Sequence, residues 1–573
     1  MIGVNKIYRK NWKIDTDFSN CSKEAIEEFE LSPLIVKLLA NRKVTTLQEI
    51  RFFFNGGRND LPSPFLLEGM ETAVDLLAES LRKKEKILVY GDYDVDGLTS
   101  VALVLRVLRR FNSGNIIYYI PKRLEEGYGL HLKALAKAVK YGCKLVITAD
   151  CGITSCAEAE YLAEKGTNLL VTDHHEPGEL LPQAAALINP KLSEGYPYPQ
   201  LAGVGVTFKL LQGLAERIPE IKADLWDNID LVALGTIADV VPLLGENRVL
   251  AKEGLKVLNQ TSNPGLRALI AQTGLLGKEI TAGHVGFTLA PRLNACGRLG
   301  DPVTGLRLLL EVNPARARKY AEVLDRMNKK RQDIEEQVLK EAEERLEAID
   351  DPGKVIVLAG ENWHPGVIGI VASRLVDKFY RPTVLLSFEG DKGKGSARSI
   401  TGFHLFKALN ECSPYLQKYG GHEMAAGLEI ERKDLSKFED ALSEVANSWI
   451  TDEILTPFLE IEGVIDLDGV TKDLLSNVSR LAPFGPGNPR PVLACKNLKL
   501  LSYNGVGRDA KHLKLNVGDE LIRHEAIGFN YGSWTRELEG VDLINLAFYI
   551  SENNWNNQIQ LVIKDLQPVA EVS

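Results

Sequence analysis

The sequence predicts a multidomain α/β protein: a parallel-sheet domain, a long connecting helix, a second α/β domain and a C-terminal β-barrel. Three observations carry that prediction. From residue 86 onward, apolar β-branched runs alternate with helix-like segments. Between Pro314 and Pro352 lie 37 residues without Gly or Pro. Toward the C-terminus, short alternating runs are broken by Gly and Asn. At 573 residues the chain is too long for one hydrophobic core, and 45% hydrophobic and 25% charged residues are ordinary globular values.

Residues 1–50 read as a short helical segment, and 51–313 as the first large domain. There KILVYGDYD (86–94), IIYYIPKR (116–123), KLVITADCG (144–152) and NLLVTDHH (168–175) are the apolar runs. Helix-like segments separate them at 98–111, 130–141 and 155–165. Continuous β-branched runs between helices are the pattern of buried parallel strands in βαβ units. Such sheets bind ligands beyond the carboxyl ends of their strands. Residues 314–351, rich in Ala, Glu, Arg, Lys and Leu, are expected to form a helix about 50 Å long at 1.5 Å per residue. Their apolar positions keep no strict heptad, which favours an inter-domain connector over a coiled coil. KVIVLAG (354–360) and TVLLSF (383–388) place a second α/β domain at 352–455. NLKLLSYNG, HLKLNVG and QIQLVIKDL suggest a small barrel across 456–573.

The seven cysteines form no CxxC pair, which argues against a zinc knuckle or a redox dithiol. The first twenty residues lack the apolar core of a secretory signal, and no apolar stretch reaches membrane-spanning length. A cytoplasmic protein without a membrane partner is expected. A net charge of −9 does not exclude nucleic acid, because a channel needs only local positive potential. Residues 101–140 hold eight Lys or Arg and only two acidic residues, Glu125 and Glu126. A patch of this kind is ordinarily a solvated helix face, yet here it follows the strongest motif in the chain.

Three of the four runs end in aspartate: Asp92, Asp94 and Asp96 in GDYDVDG, Asp150 in TADCG, and Asp173 in TDHH. In a parallel sheet these endings share one edge, where their mutual repulsion calls for cations. GDYDVDG also resembles the start of an EF-hand loop, but position 12, which should be Glu, is Leu103. A turn-stabilising Asp cluster is the alternative. His174 and His175 follow Asp173, and GTIADVVPL sets Asp239 in an apolar run, where an unpartnered carboxylate is costly. A mixed carboxylate and imidazole set suits Mn²⁺, or Mg²⁺ with less imidazole. Two such ions can activate a water and stabilise both oxygens of an in-line phosphoryl displacement, so metal-dependent phosphoester hydrolysis is the expected chemistry.

GDYDVDGLTS, TADCGIT, TDHHEP and GTIADVVPL, in this order and spacing, resemble the motifs of the DHH phosphoesterase superfamily. PKRLEEGYGL (121–130), APRLNACGRLGDP (290–302), HPGVIGIVASRL (364–375) and GGHEMAAG (420–427) extend the likeness, which is greatest to the bacterial single-strand-specific exonuclease branch. The resemblance implies that Asp94, Asp96, Asp150, His174 and Asp239 bind two metal ions, with Asp150 bridging. His175 would be a neighbouring ligand or a transition-state stabiliser, and Asp92 and Asp173 would orient the loop and the histidines. Small-molecule branches carry a His where this chain has Tyr90, which leaves one metal's shell incomplete.

Arg123, Arg292 and Arg298 are candidates for gripping the DNA backbone, as are Ser396, Arg398, Gly420, Gly421 and His422 in a DHH-associated substrate-binding domain. The C-terminal barrel would be an OB-fold, with PFGPGNPRP (483–491) and Tyr503 supplying stacking and backbone contacts. The implied function is a 5′→3′ exonuclease that converts single-stranded DNA to 5′-mononucleotides in recombination and repair. Its accessory domains would admit one strand and exclude duplex. The family further implies single-strand-binding protein and repair helicases as partners of a monomer. The alternatives are a phosphodiesterase of the same superfamily acting on short oligonucleotides or small phosphoesters, and a non-enzymatic scaffold. Tyr90 and the barrel argue against the first, and the filled carboxylate positions against the second.

Overall fold

The computed structural model describes residues 10–14, 21–109, 111, 114–349, 351–553 and 557–569. The chain divides into two compact units: residues 55–334 with 483–489, and residues 1–54 with 335–482 and 490–573.

The first unit is built on a five-stranded, all-parallel sheet of Lys86–Gly91, Ile116–Tyr119, Cys143–Ala149, Asn168–Thr172 and Ala186–Ile188. In spatial order the Ile116 strand lies at one edge, beside Lys86–Gly91, and the other three follow in sequence. Only the last strand, three residues long, has no counterpart in the sequence reading. The runs are apolar throughout because both faces are covered. Ile87, Val89, Leu145, Ile147 and Leu170 belong to one core, whereas Leu88, Tyr90, Val146, Leu169 and Val171 belong to a second on the opposite face. The helices Leu132–Tyr141 and Cys156–Glu164 contribute to the second core. A larger helical body, including Met70–Arg82, Val95–Leu108, Gly203–Ala215 and Ile229–Ala238, forms the first. Register brings the strand ends level: Gly91 pairs with Ala149, and the Asp150 and Asp173 amides donate to Thr172 and Ile188. The residue after Gly91, Ala149 and Thr172 is in each case an aspartate.

The helix Pro314–Glu347 is continuous for 34 residues. Beyond it a five-stranded mixed sheet contains Ile356–Glu361, Thr383–Glu389, Lys392–Arg398, Lys418–Gly421 and Ala425–Glu431. The C-terminal strands Leu493–Val506, His512–Gly518, Arg523–Gly528, Ile559–Pro568 and Leu543–Glu552 pair in that order. Leu543–Glu552 then pairs back with Leu493–Val506, closing a five-stranded barrel with no free edge.

Two findings depart from the sequence reading. The N-terminal segment is not wholly helical, because Asn11–Ile14 forms a strand parallel to Phe458–Ile461, and Trp12 donates to Asp565 at 2.7 Å. The alternating NWKI pattern was there to be read, but its pairing partner lies more than 440 positions away. Residues 483–489 belong to the unit of the first sheet, although they lie between segments of the other unit: the Leu243 amide donates to Pro486, and any side chain at Gly485 would strike Leu243. The cysteines are free thiols, all but Cys156 buried.

Candidate metal centre

Each motif delivers its carboxylate by a local device. Asp94 caps the helix Val95–Leu108, accepting from the amides of Asp96 at 3.0 Å and Gly97 at 3.2 Å. Asp96, the second residue of that helix, is buried against the start of another: it accepts from Gly203 N at 2.6 Å and Val204 N at 2.8 Å. The N-terminus of Gly203–Ala215 thus favours its ionised form, against the burial that raises its pKa. Gly203 itself has no room for a side chain, since a Cβ there would lie 2.7 Å from both Cβ and Cγ of Asp150. Asp150 adopts φ 67°, a left-handed conformation that a β-strand end uses to turn sharply. Asp239 follows the last helical residue of Ile229–Ala238.

The histidine pair is fixed by Asp173. This fully buried carboxylate accepts from Ile153 N (2.9 Å), His174 N (2.8 Å), His175 N (3.1 Å) and His175 Nδ1 (2.8 Å). Burial pushes its pKa up, but the His175 bond and the backbone donors outweigh burial and hold it below the ordinary carboxylate value. His175 is raised in turn: burial opposes its charge, and Asp173 more than restores it. His174 is lowered to about 4 by burial and by the neighbouring His175, so its imidazole is neutral with a lone pair to offer. Its Nε2 lies 3.2 Å from Asp150, 3.6 Å from Asp239 and 4.0 Å from Asp96.

The site residues thereby form overlapping clusters. Asp96, His174 and Asp239 have ligand atoms within 4.8 Å of one another, as do Asp92, Asp94 and Asp150, and Asp150, His174 and His175. Asp150 joins the histidines to the first-motif aspartates. Four buried atoms here, Asp92 Oδ1, Asp150 Oδ1, His174 Nε2 and Asp239 Oδ2, have no hydrogen-bond partner among the described residues. Burial and mutual repulsion raise Asp92 and Asp150 well above the carboxylate range, Asp96 to about 7 and Asp239 to about 9. Orphaned oxygens and nitrogens with repelling charges are what hard divalent cations resolve, and an oxygen-rich set with one or two imidazoles fits Mn²⁺ or Mg²⁺. Asp92, which the sequence placed in a supporting role, stands among these atoms; Asp173, with both oxygens occupied by donors, does not.

The remaining candidates are distributed more widely. Arg123 lies over the Tyr93 ring, 5.1 Å from its centroid, and Arg298 exerts a charge effect on the same tyrosine. Arg292 is engaged as a strut, binding Asp325 at 2.8 Å and the Thr288 carbonyl at 2.7 Å. In the second unit Ser396, Gly427 and Gly420 lie in one cross-strand row. Arg398 donates to Ser396 Oγ at 3.2 Å, Gly421 pairs with Ala426, and His422 is exposed with its amide bound to Ala425. Sequence reasoning missed Tyr128, whose hydroxyl lies 3.0 Å from His175 Nδ1, and the amides of Gly203 and Val204. The glycines of LAGVGV were the available signal for the latter.

Family models match in the order of the fold: DHH family, N-terminal domain, over residues 86–236; DHHA1 domain over 352–452; and RecJ OB domain over 461–565. The single-stranded-DNA-specific exonuclease RecJ of Bacillus subtilis is 38% identical over 97% of this chain and 71% of its own length. That of Escherichia coli is 36% identical over 94% of this chain and 96% of its own. The crystal structure of RecJ in complex with Mn²⁺ from Thermus thermophilus superposes with a TM-score of 0.83 at 30% identity, covering 98% of this chain and 80% of that one. The chain belongs to the RecJ family of single-stranded-DNA-specific exonucleases.

Proposed function

We propose that this RecJ-family exonuclease degrades single-stranded DNA in the 5′→3′ direction to 5′-mononucleotides, using two divalent ions, in recombination and repair. The observation that carries this reading is the convergence of Asp92, Asp94, Asp96, Asp150, His174 and Asp239, with unpartnered ligand atoms, at one edge of a parallel sheet. Asp96, His174 and Asp239 would hold one Mn²⁺ or Mg²⁺, and Asp92 and Asp94 the other, with Asp150 common to both. When bound, the ions supply an activated water and charge stabilisation for in-line displacement at phosphorus.

The chain's own groups set the geometry. Asp173 locks both histidine amides and the His175 ring, and raises the pKa of that ring, favouring its protonated form. The Gly203 and Val204 amides fix Asp96 in one orientation. Arg123, Arg298, Ser396, Arg398 and His422 would supply cationic and neutral donors for phosphate oxygens. The closed barrel, as an OB domain, would track the strand. No helix among the described residues is long and apolar enough to cross a membrane. We place the enzyme in the cytoplasm as a monomer, with single-strand-binding protein and repair helicases as its partners.

The test uses a 5′-phosphorylated single strand carrying a label at one end or the other. A 5′ label should appear first in mononucleotide, with blunt duplex degraded far more slowly. Asp150→Ala should abolish this activity with Mn²⁺ while the chain stays folded; retained activity would remove Asp150 from the centre.

A further inference from the structure

The helix Ala290–Leu299 buttresses the metal centre: its Asn294 accepts from the Val95 amide at 3.1 Å, and a side chain at Gly297 would strike the Tyr93 carbonyl. The helical run leading into it contains a π-helical turn, Val285–Leu289, which inserts an extra residue and shifts the phase of the side chains. Phe287 sits in that turn and is 88% exposed, beside Gly286, around which a Cβ would meet nothing within 4 Å. Phe287 thus presents a bare aromatic face flanked by open backbone. It lies about 10 Å along the helical run from Asn294, taking 1.5 Å per residue.

A second observation gives this face a chemistry. Arg292 binds the carbonyl of Thr288, next to Phe287, and Asp325 of the helix Pro314–Glu347. Immediately beyond Asp325, Arg326, Lys329 and Lys330 follow at helical spacing on one exposed face. Among the described residues no carboxylate pairs with any of the three, although other cations of this helix, such as Arg316, do have acidic partners. The Arg292 strut thus ties the turn that carries Phe287 to the stretch of helix from which the basic row begins.

We propose that Phe287 and the row Arg326–Lys329–Lys330 form a binding tract for single-stranded DNA outside the metal centre, with a base stacked on Phe287 and phosphates along the cations. This rests on the single-strand nuclease reading and adds a site to it. Aromatic faces accept any base, and fixed cations accept any phosphate, so the tract holds a strand without reading its sequence. A duplex, whose bases are already stacked, cannot use the Phe287 face.

The test measures binding of fluorescent dT20 and dT4 to the full chain in EDTA across a salt series, with cleavage of unlabelled strands in Mn²⁺. Phe287→Ala should weaken dT20 binding about 5- to 150-fold, the range of one lost base–aromatic stack, and Phe287→Trp should restore it. The triple variant R326Q/K329Q/K330Q should lower the salt slope by about 2, at roughly 0.7 per phosphate. Losses on dT4 should be smaller, because it spans less of the path. Unchanged dT20 affinity and slope would overturn the tract, as would equal losses on both lengths or a failure of Trp to restore. A wild-type chain that binds dT20 with these dependences yet cleaves nothing would leave the tract standing and remove the nuclease reading.

Discussion

Gly203 is the position where a single methyl group should separate stability from catalysis. Its amide donates to Asp96 at 2.6 Å, and the space where a Cβ would sit is filled by Asp150, with Cβ and Cγ 2.7 Å away. Ordinary van der Waals contact begins near 3.4 Å, so the two carbons alone require Gly203→Ala to move Asp150 or the helix start by about 0.7 Å, and Asp150 Oδ1, closer still, must move by about 1 Å. Either movement displaces a carboxylate of the cluster. Misplacements approaching 1 Å at a reacting centre cost on the order of 10²-fold in rate, equivalent to about 2.7 kcal/mol. Helix propensity predicts the opposite sign for stability, because Ala is favoured over Gly in a helix by up to about 1 kcal/mol. We therefore expect kcat with Mn²⁺ to fall about 100-fold, with weakened Mn²⁺ binding by calorimetry and a Tm lowered by no more than a few degrees. A Gly203→Ala enzyme that keeps kcat within about threefold would refute the claim that this backbone approach sets the positions of Asp96 and Asp150.

In the metal-free protein, Asp96 is raised to about 7 and Asp239 to about 9. Unfolded carboxyls ionise near 4, so between about pH 4 and 9 the folded chain binds more protons than the unfolded one. Its stability should be greatest below that window and fall as pH rises through it. Saturating Mn²⁺ displaces those protons and should remove or reverse the slope; a Tm in EDTA that is flat from about pH 5 to 8 would contradict this. Arg398→Ala should raise KM for a 5′-phosphorylated strand at least about tenfold, the scale of one charged hydrogen bond, and affect a 5′-hydroxyl strand less. Equal effects on the two substrates would mean that Arg398 does not single out the terminal phosphate.

Much of the site was legible because parallel-sheet geometry converts sequence order into spatial coincidence. Runs ending GDYD, TAD and TD, once known to be parallel and in register, must put Asp92, Asp150 and Asp173 on one edge. Which of them face the cluster depends on local donors that sequence does not display. Asp173 is turned away by four donors, whereas Asp92 keeps an unpartnered oxygen. Arg292 shows the same limit for cations: a guanidinium in a promising motif is occupied by Asp325, a residue 33 positions away. The N-terminal strand and residues 483–489 were misread for a related reason, since each joins a partner that only the three-dimensional chain path supplies.

That chain path also decides how the barrel can be tested. Removing everything after residue 455 would be the direct way to ask whether the barrel binds DNA if the domain boundary read from the sequence were the only consideration. In the structure the same cut removes the strand that pairs with Asn11–Ile14 and the segment 483–489 that packs on Leu243. It also removes Glu462, the partner of Arg42 at 2.7 Å, whose side chain is only 1% exposed. A buried guanidinium left without its carboxylate costs about 3–5 kcal/mol. Lost binding in such a truncation would therefore report damage to both units as readily as a missing DNA surface. Point substitutions on exposed barrel positions avoid that confusion, because they change the surface charge that a strand would feel and leave Glu462 in place.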